Sequence, residues 1–516
     1  MTRTVSHRIV RFIDSKWFFV GTLIALAVQA VWLAITQRYP LPFDESYHFG
    51  IIQVYGQQWS PILTRQPGNP GAYGELIHDP SYLYHYLMSF PYRIIDFLFH
   101  NIVIDIGSLR FFSIAFFILG LVGFRKLLFR FGLSRTLTHS LIFIIMLIPV
   151  SSLLASQVNY DNLLFCVTPI FLWFTFDVID DIKKRGRLTY KNTLIMLSLG
   201  LLTCLIKYAF LPIFAIVVIY LLVIWLKDKR RIKILSGLKT SFIKSTRKAQ
   251  VSLAVLFVVS CGLFLQRYGY NAVVYHAVQP DCAQVLTVKQ CLQYGPWARN
   301  YKLDQTAKST HSNLSAPARN PLVYVRGWTH AMIFRLYFSI DQDFNEYTPM
   351  PLPFVAAFIF GFVGLALTII YFLRISRTYI YTWLFVVISI AYCVSLLSLN
   401  YQEYLRYGTV VAVNGRYLFP ILPLLFALFA LGYRELVRDV GGKHKTLIKV
   451  IIVIIIAVLS IDGGGFIGYL IHSTPKWYLL GDPLTGTSLW IGNALSQVVL
   501  GGINQPIDHM INHLLQ

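Results

Sequence analysis

The sequence predicts an all-α polytopic membrane protein, a helical bundle of about eleven transmembrane helices with juxtamembrane helices and ordered extracytoplasmic loops. Three observations predict it. Of 516 residues, 56% are hydrophobic and 13% charged. Several apolar runs are long enough to cross a hydrocarbon core of ~30 Å, where a helix satisfies its own backbone polar groups. The 45 lysines and arginines are spread unevenly. Most fall in six short segments: 1–16, 125–136, 180–192, 227–249, 374–378 and 434–449.

The positive-inside rule assigns all six segments to the cytoplasmic side. Spans then fall at about 17–36, 109–128, 137–155, 161–179, 193–206, 208–226, 250–266, 351–373, 379–399, 417–433 and 448–470. The N-terminus lies inside and the C-terminus outside. The first span lacks a small-residue cleavage site and reads as a retained helix. The stretch from Pro80 to Asp105 cannot cross once without moving Arg125, Lys126, Arg130 and Arg135 outside. It reads as a juxtamembrane or re-entrant helix on the outer face, with Tyr82, Tyr84, Tyr86 and Tyr92 at the interface.

One membrane domain over 1–470 is the economical description. Its outer parts are a first loop at 37–108, a large loop at 267–350 and a short loop at 400–416. An extracytoplasmic tail covers 471–516. Aromatic and apolar runs in these long loops argue for order. Cys282 and Cys291 can form a disulfide if the large loop faces an oxidising compartment. The net charge of +22 follows topology and attraction to anionic headgroups. Membrane lipids are therefore expected partners, and nucleic acid is not.

Five outer-side groups can carry chemistry. Asp44-Glu45, followed by His48, stands just after the first span. On a helix, Asp44 and His48 share a face; the bland alternative is that Asp44 caps that helix. His78-Asp79-Pro80, followed by Tyr82, is the second group and also reads as a turn before a helix. The third is the polar island with Asn159 and Asp161, which also suits a helix cap. Lys207, followed by Tyr208, interrupts an apolar run. An ionisable group there is a functional candidate, against a snorkelling lysine. Arg416-Tyr417 enters the outer end of a span, where arginine can hold phosphate oxygens in bidentate fashion. Arg335 is a weaker candidate of that type. Carboxylates could accept a proton from an attacking hydroxyl, and cations could stabilise a departing phosphate.

This arrangement resembles the GT-C superfamily of integral-membrane glycosyltransferases, which use polyprenyl-phosphate-linked sugars. The likeness rests on the acidic motif Asp44-Glu45 and on His78-Asp79-Pro80-Ser81-Tyr82-Leu83-Tyr84, which looks like an HPPLYY-type stretch. Asp161, Lys207 and Asn414-Gly415-Arg416-Tyr417-Leu418-Phe419-Pro420 extend it, the last resembling a GRYL-P pattern of a largely uncharacterised bacterial branch. Cys282 and Cys291 also fit that branch. The segment His78-Asp79-Pro80 departs from the pattern in having one proline, and Tyr160 stands before Asp161 where many members have proline.

The resemblance implies an inverting glycosyltransferase of the bacterial plasma membrane, working on its extracytoplasmic face. Asp44 would be the general base and Glu45 would orient the acceptor or the base. Lys207 and Arg416 would bind phosphate, and Asp161 would position a substrate or help hold a metal. The donor would be a polyprenyl-phosphate sugar and the acceptor a glycan or lipid-linked glycan. No resident cofactor is expected. Some superfamily members need a divalent cation, but the only outer Asp-X-Asp spacing is Asp341-Gln342-Asp343, far from Asp161, which favours a metal-free mechanism. The rival readings are a lipid-linked glycan transporter or flippase and a glycan polymerase or ligase. A transporter tends to have related halves and midplane polar groups, and a polymerase would lean on outer-loop arginines.

Overall fold

The computed structural model describes residues 10–67, 72–309, 319–340, 347–349, 351–440 and 483–497, with a few isolated positions besides. The expected span at 448–470, most of the tail and Asp341-Gln342-Asp343 lie outside the described residues.

The apolar runs fold as helices whose ends carry local stop signals. Ser15 accepts from the Phe18 amide and opens Lys16–Thr36. Asn101 accepts from Val103 and Ile104 and opens Ile102–Phe131, which Gly132 closes in the left-handed conformation. That helix starts seven residues before the span expected at 109, because the cap at Asn101 sets the boundary. Among the described residues, six helices are long and apolar enough to cross a membrane: Lys16–Thr36, Ile102–Phe131, Tyr160–Arg185, Tyr208–Lys227, Arg247–Val274 and Thr382–Tyr407.

Two bent pairs raise the number to eight if each is one span. Arg135–Leu147 and Pro149–Ala155 meet at 75°, and Phe354–Ile370 and Phe372–Thr378 at 73°. Pro149 explains the first break, since it cannot donate back to the preceding turn. The shorter Tyr190–Ile206 and the helix Leu422–Asp439 cover two further expected spans. A three-residue strand pair, Phe338–Ile340 with Tyr347–Pro349, is the exception to helix among the described residues. The chain is a polytopic helical membrane protein.

The helix Leu83–Phe99 lies where the juxtamembrane segment is expected. Its exposed end carries Ile94, Phe97, Leu98 and Phe99. Tyr82 and Tyr84, expected at an interface, are buried instead, because this part of the segment turns towards the bundle. Arg93 fastens it by donating to the carbonyls of Tyr55 (2.6 Å) and Gly56 (2.9 Å) at the end of Glu45–Gly56.

The long helices separate two charged ends. Arg110 and Arg130 share Ile102–Phe131 and stand ~30 Å apart at ~1.5 Å per residue. The described parts of the six basic segments meet at the Arg130 end. Arg130 pairs with Asp177 (2.7 Å) and Asp180 (3.0 Å). Tyr381 donates to Asp180, Thr136 to Asp14, and the Leu188 amide to the Ile234 carbonyl. Arg374 pairs with Asp439, and Arg434 lies over Tyr379. The Arg110 end holds the candidate site.

Candidate functional site

The acidic motif begins with an unusual backbone. Phe43 (φ 68°) and Asp44 (φ 70°) both adopt the left-handed conformation. A bulky residue there is strained, at ~1–3 kcal/mol. Two bonds hold the turn: the Phe43 carbonyl accepts from Asn159 Nδ2 and from Arg416 Nη1, each at 2.9 Å. The turn swings the Asp44 carboxylate outward. It remains 55% exposed and receives Arg416 Nη2 at 2.8 Å. Asp44 precedes Glu45–Gly56, but its side chain makes no capping bond, so the capping alternative does not describe it.

Glu45 points the other way. Its carboxylate is wholly buried and takes a two-pronged grip from Arg110, with Nε at 2.8 Å and Nη2 at 2.7 Å. It also accepts from the amides of Leu41 (2.7 Å) and Val158 (3.1 Å). Arg110 donates in turn to the carbonyls of Ala34 and Gln37. This knot ties the end of the first helix, the acidic turn and the 158–161 turn to Ile102–Phe131. The two adjacent carboxylates thus divide, one towards Arg416 and one into the scaffold.

Asn159 caps Tyr160–Asp180 by accepting from the Asp161 amide at 2.9 Å. Asp161 receives Lys207 Nζ at 2.5 Å, while its Oδ2 is buried with no hydrogen-bond partner. Lys207 follows Tyr190–Ile206 in extended conformation, before the tight turn Tyr208–Phe210. At 4% exposure it does not snorkel. Its ammonium lies 4.5 Å from the Tyr160 ring centre and 4.8 Å from that of Tyr417. The Tyr208 amide donates to Ser81 Oγ.

Arg416 is set by its neighbours. Asn414 accepts from its amide at 3.0 Å. At Gly415 a Cβ would come within 2.5 Å of the Met332 carbonyl, so glycine permits this close approach. The guanidinium is buried between the rings of Phe43 (4.8 Å) and Tyr417 (5.2 Å), and its Nε has no partner. Arg335 donates to the Val413 carbonyl and braces this segment from behind.

These contacts run unbroken from Asp44 through Arg416, Tyr417 and Lys207 to Asp161. Beside them opens a cavity of about 470 Å³. Tyr160, Lys207, Tyr208, Tyr392, Glu403 and Tyr417 give its polar lining, and Leu211, Leu396 and Leu399 an apolar wall. Such a mixed lining suits a ligand with a charged head and a greasy body.

The remaining expected residues stand behind this line. His48 Nδ1 and His85 Nε2 share one proton at 2.9 Å. Burial pushes both rings down, His85 to about 3, so both are neutral. Asp79 accepts from the Ser81 amide (2.9 Å) and the Tyr47 hydroxyl (3.4 Å), and burial raises its carboxyl. His78 stacks on Tyr270 with ring centres 5.0 Å apart. The Tyr82 ring lies 4.8 Å from the buried Arg267 guanidinium. Cys282 and Cys291 are bonded. Among the described residues, no three His, Cys, Asp or Glu side chains gather as metal ligands.

Sequence reasoning passed over Arg110, His85, Tyr160, Tyr392 and Glu403. Arg110 had a readable signal, a lone cation inside an apolar run. The tyrosines had none among 31 in the chain.

Fold and site define a polytopic helical membrane protein with a charged cavity opposite its basic end. The sequence matches no protein-family model and no curated protein. Among solved structures it is similar to the archaeal oligosaccharyltransferase AglB from Archaeoglobus fulgidus, in complex with an inhibitory peptide and a dolichol-phosphate. Identity is 14% and the TM-score 0.38, over 89% of this chain and 58% of that one. The chain therefore spans less than two thirds of that protein's length.

Proposed function

We propose that this protein is an inverting glycosyltransferase of the GT-C type. It moves a sugar from a polyprenyl-phosphate donor to a hydroxyl acceptor on the extracytoplasmic face of a bacterial plasma membrane. The observation that carries this reading is the line of alternating carboxylates and cations, Asp44–Arg416 and Lys207–Asp161, beside a half-apolar cavity. The positive-inside rule supports the sidedness, since the basic segments meet at the other end.

Asp44 takes the proton from the acceptor hydroxyl. The acceptor oxygen bonds to the anomeric carbon as the bond from that carbon to the phosphate oxygen breaks. The electron pair leaves with the phosphate, and the configuration inverts. Arg416 and Lys207 hold the departing charge. Arg416 Nε, buried without a partner, is a donor ready for a phosphate oxygen. Asp161 keeps Lys207 in place, and Glu45 fixes the turn that presents Asp44, as a positioning residue. The apolar wall takes the first part of the lipid chain.

The test uses purified protein with a labelled polyprenyl-phosphate sugar. Asp44→Asn should lower transfer by ~10²–10⁴-fold, the usual worth of a general base, with donor binding retained. Equal transfer by the parent and the variant would remove Asp44 as base.

A further inference from the structure

A second and larger cavity, of about 820 Å³, adjoins the first. Gln279, Leu399 and Glu403 line both, so the two lie side by side. Its walls are the turn around Asp281, the helix Gly295–Ser309 and the last turns of Thr382–Tyr407. We propose that this cavity binds a neutral oligosaccharide, the acceptor glycan, with one hydroxyl reaching the donor cavity past Glu403. The inference rests on the glycosyltransferase reading for the word acceptor, and on this cavity alone for the glycan.

Three features point to a sugar. Trp297 and Tyr301 are stacked at 5.0 Å and 17°, and both line the cavity. The Trp297 indole is fixed by its Nε1 donating to Asp281 at 3.1 Å. A paired aromatic plate of this kind receives the C–H face of a pyranose. Around it stand amide and carboxylate side chains, which match the hydroxyl rim of a sugar with donors and acceptors. Asn300, Gln305 and Gln402 supply the amides. At the junction, Glu403 Oε2 is buried with no hydrogen-bond partner. It is an acceptor waiting for a hydroxyl at the mouth of the first cavity.

Charge and polarity narrow the class. Asp281, Asp304 and Glu403 in the lining face Lys308 and Arg406. Asp304 is already held by Lys308 (2.7 Å) and Arg406 (3.2 Å), and Arg299 acts electrostatically on Glu403. The balance is near even in a chain of net charge +22. An anionic glycan would call for surplus cations, which this lining lacks. A peptide would call for a strand edge or alternating apolar pockets. Neither is built by the residues that line this cavity.

The test measures binding without donor, on the full-length protein in lipid nanodiscs. The probes are neutral hexasaccharides of gluco, manno and galacto configuration, a galacturonate hexamer and a glycine-serine hexapeptide. Saturation-transfer NMR should detect at least one neutral hexasaccharide. Trp297→Ala should weaken that binding at least tenfold, and Trp297→Phe, which keeps an aromatic plate and guards against misfolding, less than threefold. The proposal is overturned if no neutral hexasaccharide binds, or if the galacturonate hexamer or the peptide competes for the same site. Equal binding by Trp297→Ala also overturns it. Saccharide binding with no transfer from any polyprenyl-phosphate sugar would leave the glycan site standing and remove the transferase reading. Transfer that Trp297→Ala leaves unaltered, in both acceptor KM and rate, would do the reverse.

Discussion

The two ends of the bundle use charge differently. At the basic end Glu435 is ringed by Arg374, Arg434 and Arg438, all partly exposed. Arg130 and Lys184 crowd Asp180 in the same way. Cations outnumber carboxylates there, and Lys184, Arg374 and Arg438 reach water around carboxylates that are themselves buried. At the other end Glu45–Arg110 and Lys207–Asp161 are matched one to one and buried. Atoms without partners remain there, Arg416 Nε and Asp161 Oδ2. Exposed pairs contribute little and serve to orient the chain. Buried, incompletely satisfied pairs beside a cavity are expensive unless a ligand completes them.

Breaking one pair at each end should show the contrast most plainly. Glu45→Ala leaves Arg110 buried and uncompensated, and should cost ~3–5 kcal/mol. Asp439→Ala, at the exposed pair with Arg374, should cost under ~1 kcal/mol. Thermal unfolding in detergent compares them, and equal losses of Tm would erase the distinction. Replacing Cys282 and Cys291 together by serine should cost the outer loop ~2–3 kcal/mol, as expected for a short closed loop. Limited proteolysis between residues 275 and 309 should quicken, while cleavage at the basic end stays the same.

Lys207→Ala should weaken binding of the polyprenyl-phosphate sugar by about 1.5–3 kcal/mol, the worth of a charged hydrogen bond. Lys184→Ala should leave that binding unchanged, and a salt titration would separate direct from long-range effects. A further test concerns pH. Burial raises the Glu75 carboxyl from an ordinary 4.5 to about 7. The folded loop therefore holds a proton that the unfolded chain has lost. Stability from this group is full below pH ~4.5 and is lost as pH rises towards ~7. Glu75→Gln, which can still accept from the His78 amide, should flatten that fall in Tm measured from pH 4.5 to 8. An unchanged profile would assign the slope to other groups.

Much of the bundle was readable because lipid leaves few choices. Apolar runs became helices at ten of the eleven expected places, the last lying outside the described residues. Boundaries were less legible, since one cap at Asn101 or one Pro149 moves or breaks a helix without altering its hydropathy. In the site, residue types were readable and pairings were not. Asp44 and Arg416 meet across 372 residues, and Glu45 and Arg110 across 65. No local rule carries that distance. The adjacent acids read as one pair because sequence neighbours look alike on paper. The left-handed turn at Phe43 and Asp44 sends them apart, and nothing in Pro42-Phe43-Asp44 calls for that turn without Asn159 and Arg416 to hold it.

The helix Ile102–Phe131 is pinned at both ends, by Glu45 at Arg110 and by Asp177 and Asp180 at Arg130. It is therefore a fixed strut that cannot slide along the membrane normal to suit its surroundings. A thicker or thinner bilayer must be met by tilting the whole bundle or by deforming the lipid around it, at fractions of a kcal/mol per Å. Hydrophobic matching thereby becomes a property of the scaffold that holds the charged cavity, and membranes of the wrong thickness would select against this protein before any ligand arrived.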